Sequence, residues 1–145
     1  MLNRFVIACL CVLFVSVASA PAKADSLPAP TPPEITIHIG EAQNGAQIDV
    51  PVNERFAVEL VGVPTAGYLW TIASMPEFIT RAGDAGGPTM TEQTEPGFTG
   101  GRHWEVLLFA ALEAGEGELV LVQKRPWEGG DIAEVFRITI AAADQ

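Results

Sequence analysis

From residue 35 onward the apolar residues of this chain recur with a period of two. Ile35, Ile37 and Ile39 alternate with Thr36 and His38; Ile48, Val50 and Val52 repeat the pattern, as do Phe56, Val58 and Leu60, and then Tyr68, Trp70 and Ile72. Successive side chains of an extended chain point to opposite faces, so each run reads as a strand with one apolar face, and no stretch shows the 3.6-residue period of a long amphipathic helix. A short strand is expected around Ile79. Trp104 to Ala111 is a long apolar strand, Leu119 to Val122 a buried run, and Val135 to Ile140 closes the set. Asn44-Gly45 between the first two runs predicts a tight hairpin, and Gly115-Glu116-Gly117 a further turn. Seven or eight short strands separated by turn signals predict an all-β fold, a β-sandwich.

The first 24 residues follow a different rule. Arg4 supplies a positive start, Phe5 to Val17 form an apolar run, and small residues follow from Ala18 to Ala24. That order is a secretory signal peptide. The apolar run is about 13 residues, short of the roughly 20 that a spanning helix needs. Two A-x-A cleavage sites end at Ala20 and Ala24, and Pro21 directly after Ala20 disfavours the first. The expected organisation is a signal peptide over 1–24, a proline-rich linker over 25–33 (DSLPAPTPP) and one domain over 34–145. The destination is outside the inner membrane, periplasmic or secreted.

Export bears on the cysteines. Both of them, Cys9 and Cys11, fall within the signal peptide, so the mature chain has neither a disulfide nor a thiol nucleophile, and its core must hold the fold alone. Losing Arg4 and Lys23 with the leader takes the formal charge from −10 to −12. Such a surface is repelled by nucleic acid and by anionic lipid, so neither is an expected partner.

Three segments interrupt the alternation: 62–67 (GVPTAG), 84–101 (DAGGPTMTEQTEPGFTGG) and 124–131 (KRPWEGGD). Loops of a sandwich cluster at its two ends and are where function concentrates. An enzyme would need a nucleophile, a general base or a metal there. The only histidines are His38, mid-strand on the face opposite the isoleucines, and His103, which shares a strand face with Glu105 and reads with it as an ordinary surface pair. Two ligands fall short of the four of a structural zinc site. Ser26 and Ser74 lack a nucleophile-elbow setting, and no glycine-rich phosphate loop opens a helix. No catalytic residue, cofactor or metal is expected.

The loops carry three short motifs in a particular order. They are Pro64-Thr65-Ala66-Gly67-Tyr68 preceded by Val63, then Gly97-Phe98-Thr99-Gly100-Gly101, then Arg125-Pro126-Trp127 followed by Glu128. The chain resembles, on these motifs, the chagasin-like inhibitors of papain-family cysteine proteases. That family carries N-P-T-T-G and an aromatic residue in its first loop, G-x-G-G in its second, and R-P-W or R-P-F in its third. The resemblance spans about Ile35 to Ile140. Val63 stands in place of the familial asparagine, Ala66 in place of the second threonine, and the glycine loop has one extra residue.

The resemblance implies an immunoglobulin-like sandwich; the Cys–Trp–Cys signature of antibody domains is absent, so the likeness is one of architecture. It also implies reversible, non-covalent occlusion of a papain-like cysteine protease by a monomer. Pro64, Thr65 and Gly67 would lie over the catalytic cysteine, with Gly100 and Gly101 on one side of the cleft and Arg125, Pro126 and Trp127 on the other. Trp70 and Trp104, in phase with apolar neighbours, read as core. The competing reading is an exported immunoglobulin-like module that binds another ligand through the same loops without inhibiting a protease.

Overall fold

The computed structural model describes residues 26–145, so the signal-peptide reading of residues 1–24 lies outside the described residues. Eight strands form: β1 (Ile37–Gly40), β2 (Gln47–Pro51), β3 (Arg55–Gly62), β4 (Leu69–Ser74), β5 (Ile79–Pro88), β6 (His103–Ala111), β7 (Gly115–Lys124) and β8 (Glu134–Ala143). They make two four-stranded sheets, in the orders β1-β3-β6-β5 and β2-β8-β7-β4. The all-β sandwich expected from the period-two pattern is thus present.

The inner faces close on one core. Ile39, Phe56, Val58, Leu60, Leu107 and Phe109 come from the first sheet; Val50, Trp70, Leu119, Leu121, Phe136, Ile138 and Ile140 come from the second. Phe56 and Phe109, paired across β3 and β6, stack with ring centroids 5.4 Å apart. A second, smaller cluster lies on the outer face of the first sheet: Ile35, Ala57, Val106 and Leu108. Strand β6 is therefore covered on both faces, which is why it reads as a nearly unbroken apolar run.

Three local expectations are corrected. Asn44-Gly45 does not close a hairpin. β1 pairs in parallel with β3, and β2 in parallel with β8, so between them the chain crosses from one sheet to the other. Asn44 serves that crossing: its side-chain oxygen accepts the Arg137 N–H at 2.9 Å, and the Gly45 N–H donates to the Arg137 carbonyl at 2.7 Å. A turn forms at these residues, but its partner is β8, far away in sequence. Second, residues 84–88 are not loop. They continue β5, a strand whose register shifts between Arg81 and Gly83, with Gly83 at φ 129°. Small residues and a bulge at a sheet edge hide the alternation. Gly115 and Gly117 likewise lie within β7, where both pack against Phe78, and do not make the turn.

The proline-rich stretch is not a free linker. From residue 26 it lies against the first sheet: Ala29 packs on the outer cluster, Thr31 donates to the Glu59 carboxylate, and the Pro30 ring meets Gly87.

Phe109→Ala removes a side chain that is fully buried and stacked on Phe56. The expected loss of stability is about 3–5 kcal/mol, read as a lower denaturation midpoint at unchanged m-value.

Candidate functional site

Strand register brings the three interruptions to one end of the sandwich. Gly62 at the end of β3 faces His103 at the start of β6, which faces Pro88 at the end of β5. Leu69 at the start of β4 faces Lys124 at the end of β7, and Gln123 faces Glu134 at the start of β8. The connections 63–68, 89–102 and 125–133 therefore leave the same edge of the molecule side by side.

The first loop is a closed turn. Val63 and Tyr68 exchange backbone hydrogen bonds, Pro64–Ala66 form one turn of 3-10 helix, and Gly67 ends it in the left-handed region at φ 83°. Proline at the first helical position suits a turn whose N–H has no partner to lose. Backbone bonds alone close this loop, so Val63 does without the asparagine side chain of the familial motif. Pro64, Thr65 and Ala66 are all exposed at its tip.

The third loop is fastened onto the first. Arg125 donates from Nε to the Ala66 carbonyl at 3.0 Å, holds its guanidinium 4.7 Å above the centre of the Tyr68 ring, and pairs with Glu128 at 3.2 Å. One cation thus satisfies a loop carbonyl, an aromatic face and a carboxylate together. The Trp127 ring lies over Gly67, in the place a Cβ would occupy. Gly67 is required twice, for its φ and for this contact. The other face of Trp127 is open: the residue is 67% exposed, the most exposed large apolar side chain among the described residues, and Pro126 beside it is exposed too.

The second loop is tied at its neck. The Gln93 side-chain oxygen accepts the Thr89 N–H at 2.7 Å and the Met90 N–H at 3.1 Å, while its amide donates to the Arg102 carbonyl at 2.7 Å. Gly97, Gly100 and Gly101 all have positive φ. Gly101 packs against Gln93 and Phe98, whereas a side chain at Gly100 would meet open space. The structure brings the first and third loops into direct contact; the second stands beside them on its own bracing.

Beneath the loops lies a polar layer that the sequence did not reveal. β1 has ended at the level of Glu59, and beyond it the Val61 carbonyl accepts the Trp70 indole N–H at 3.0 Å and the Gln123 amide at 3.4 Å from the opposite sheet. Glu105 reaches the other way and accepts the Trp70 backbone N–H at 2.8 Å, packed against Gly62. The surface-pair reading of His103 and Glu105 is therefore corrected. Both lie on the inner face of β6, in phase with Leu107 and Phe109, and the second Glu105 oxygen and His103 Nδ1 are buried without a hydrogen-bond partner. Desolvation pushes the Glu105 carboxyl above its ordinary range, against the Trp70 N–H, which lowers it. The parity carries the signal, since Glu105 is two residues from Leu107, although an acidic side chain there suits a surface. Trp70 is core, as its phase indicated. Trp104, expected in the core on the same grounds, is instead on the outer face and only partly buried, with its indole N–H donating to the Leu27 carbonyl at 2.9 Å. His38 is half exposed and bonds Glu59 at 2.6 Å. No cluster of three metal-ligating side chains occurs among the described residues.

Two outcomes follow from this geometry. The folded state binds a proton at Glu105 more tightly than the unfolded chain does, so the ionised carboxylate costs stability at neutral pH, and the cost fades as pH falls through the raised pKa. Glu105→Gln keeps an acceptor for Trp70 without the charge; its melting temperature is expected to exceed the parent's at pH 7, with the gap closing in acid. Gly67→Ala puts a Cβ into the Trp127 ring and an alanine in the left-handed region, worth about 1–2 kcal/mol in backbone strain alone. It is expected to lower stability and displace the indole, seen as a shift in tryptophan emission.

The family model described as "Chagasin family peptidase inhibitor I42" matches residues 49–140, a span that contains all three loops. Amoebiasin-1 of Entamoeba histolytica is 30% identical over 87 residues, which are 60% of this chain and 80% of that relative. Among solved structures, the cysteine protease inhibitor EhICP2 from Entamoeba histolytica aligns with a TM-score of 0.63 at 19% identity, over 74% of this chain and 95% of that one. The solution structure of amebosin aligns with a TM-score of 0.58 at 25% identity, over 74% and 97% of the two chains. With the family match running over well more than half its length, this chain belongs to the chagasin family of peptidase inhibitors.

Proposed function

We propose that the protein inhibits papain-like cysteine proteases by laying the three loops into the active-site cleft as a monomer, without covalent chemistry. The observation that carries this is the joining of the first and third loops by Arg125 and by the Trp127–Gly67 contact into one exposed edge. Inhibition by occlusion needs a surface that is already ordered, because each loop immobilised on binding subtracts from affinity. Pro64 and Thr65 present a small turn, closed by Gly67 beneath Trp127, for the space over the catalytic cysteine. Trp127 offers an open aromatic face beside it, held by Pro126 and Arg125, and the Gly100-Gly101 stretch lets the second loop approach a wall of the cleft closely.

We further propose that residues 1–24 direct export and are removed, and that the inhibitor meets its protease in the periplasm or the medium. The −12 formal charge of the remaining chain fits a freely soluble partner better than nucleic acid or an anionic lipid surface.

Trp127→Ala is expected to weaken inhibition of papain by about 2 kcal/mol, roughly 30-fold in the inhibition constant. Because Trp127 is exposed, the variant should keep the parent's melting temperature to within a few degrees. An unchanged inhibition constant in the folded variant would remove Trp127 from the interface, and no inhibition by the parent at micromolar concentration would favour a module that binds another ligand.

A further inference from the structure

We infer that the amino-terminal segment 26–31 is a positioning element for the second loop, clasping both ends of it through Leu27. The inference rests on the proposed role of that loop in binding a protease. It concerns residues outside the family match, which begins at residue 49.

Leu27 makes two backbone hydrogen bonds, and they go to opposite ends of one loop. Its N–H donates to the Thr89 carbonyl at 2.9 Å, at the point where β5 gives way to the loop, and Ser26 bridges to Met90 next to it. Its carbonyl accepts the Trp104 indole N–H at 2.9 Å, one residue into β6 where the loop returns. A single residue thus spans both roots of 89–102, on top of the Pro88–His103 pairing that brings them together. Gln93 closes the same neck from within.

The composition of the segment suits this task. Leu27, Ala29 and Thr31 are partly buried, while the intervening Pro28 and Pro30 are exposed. Inward residues supply the contacts: Leu27 to the loop roots, Ala29 to the outer cluster, Thr31 to Glu59. The prolines keep the segment extended before it docks and deny hydrogen-bond donors to any further strand. The clasp therefore costs little ordering and cannot propagate into a wider sheet. The loop it holds contains three positive-φ glycines, Gly97, Gly100 and Gly101, and is the connection with most freedom to lose on binding. Holding its ends lowers the conformational freedom that remains to be lost when a protease engages it.

The test uses two substitutions in the full chain, each removing one prong. Leu27→Pro deletes the N–H that reaches Thr89 and leaves the carbonyl; Trp104→Phe deletes the indole N–H and leaves an aromatic ring on the outer face. Amide hydrogen exchange is measured over 90–101, with 63–68 and 125–133 as internal controls, together with the dissociation rate of the papain complex. The expected result is faster exchange confined to 90–101 and dissociation several-fold faster, with the association rate little changed. Unchanged exchange over 90–101 in both variants overturns the clasp, as does acceleration shared equally by all three loops, which would mean general loosening. Faster exchange with an unchanged dissociation rate overturns its part in inhibition. If the parent itself fails to inhibit papain, the inhibitory reading fails, and the exchange pattern alone decides the clasp.

Discussion

Strand β6 is buried on both of its faces, and the loop end of the molecule is arranged around that fact. Leu107, Phe109 and Ala111 point into the sandwich; Trp104, Val106 and Leu108 point out of it. Each fully buried large apolar side chain contributes about 1.5–3 kcal/mol, so leaving the outer set in water would forfeit several of them. Cover comes from Ile35 and Ala29, and laying them on the sheet brings residues 26–31 alongside the second loop. The same strand delivers Glu105 to the interior directly below the first loop, where it ties the backbone of β4 to the first sheet.

The loops are held in three different ways, none of them covalent. Backbone bonds and a left-handed glycine close the first. Arg125 and Trp127 lock the third onto it through a carbonyl bond, a cation–π contact and ring packing on Gly67. The second is braced at its neck by Gln93 and by Leu27. A disulfide would typically supply about 2–4 kcal/mol to such a loop end, and both cysteines lie in residues 1–24. Order is reached instead through many contacts of modest strength, concentrated where the loops touch one another or the sheet beneath them.

Much of the candidate site was legible in the sequence because its chemistry is local. Pro64 and Gly67 announce a tight turn from their own backbone preferences, and Arg125-Pro126-Trp127 gains its weight as the third of three short loop motifs in order. What the motif did not disclose is that Arg125 and Trp127 face inward toward the first loop as much as outward: those contacts join residues about sixty positions apart. Glu105 departs from its expected place for a related reason. Its parity put it on the core face, but charge at a core-facing position is rare enough that the surface was the natural assignment, and only the opposite sheet, with its Trp70 N–H, supplies the partner that makes burial tolerable.

By itself the sequence determined the period of the strands, the all-β class, and the residues of the three loop motifs, because each depends on the conformational preference of a few consecutive residues. Tertiary structure alone decided which strand meets which. It turned the Asn44-Gly45 signal into a crossing that binds β8, carried β5 through a glycine-rich stretch that reads as loop, and folded a proline-rich approach onto the first sheet. Those outcomes depend on surfaces created by distant segments: the apolar outer face of β6, the free carbonyl at Val61, the edge beside Thr89. No local preference encodes such surfaces, since they exist only once the two sheets have closed on their core.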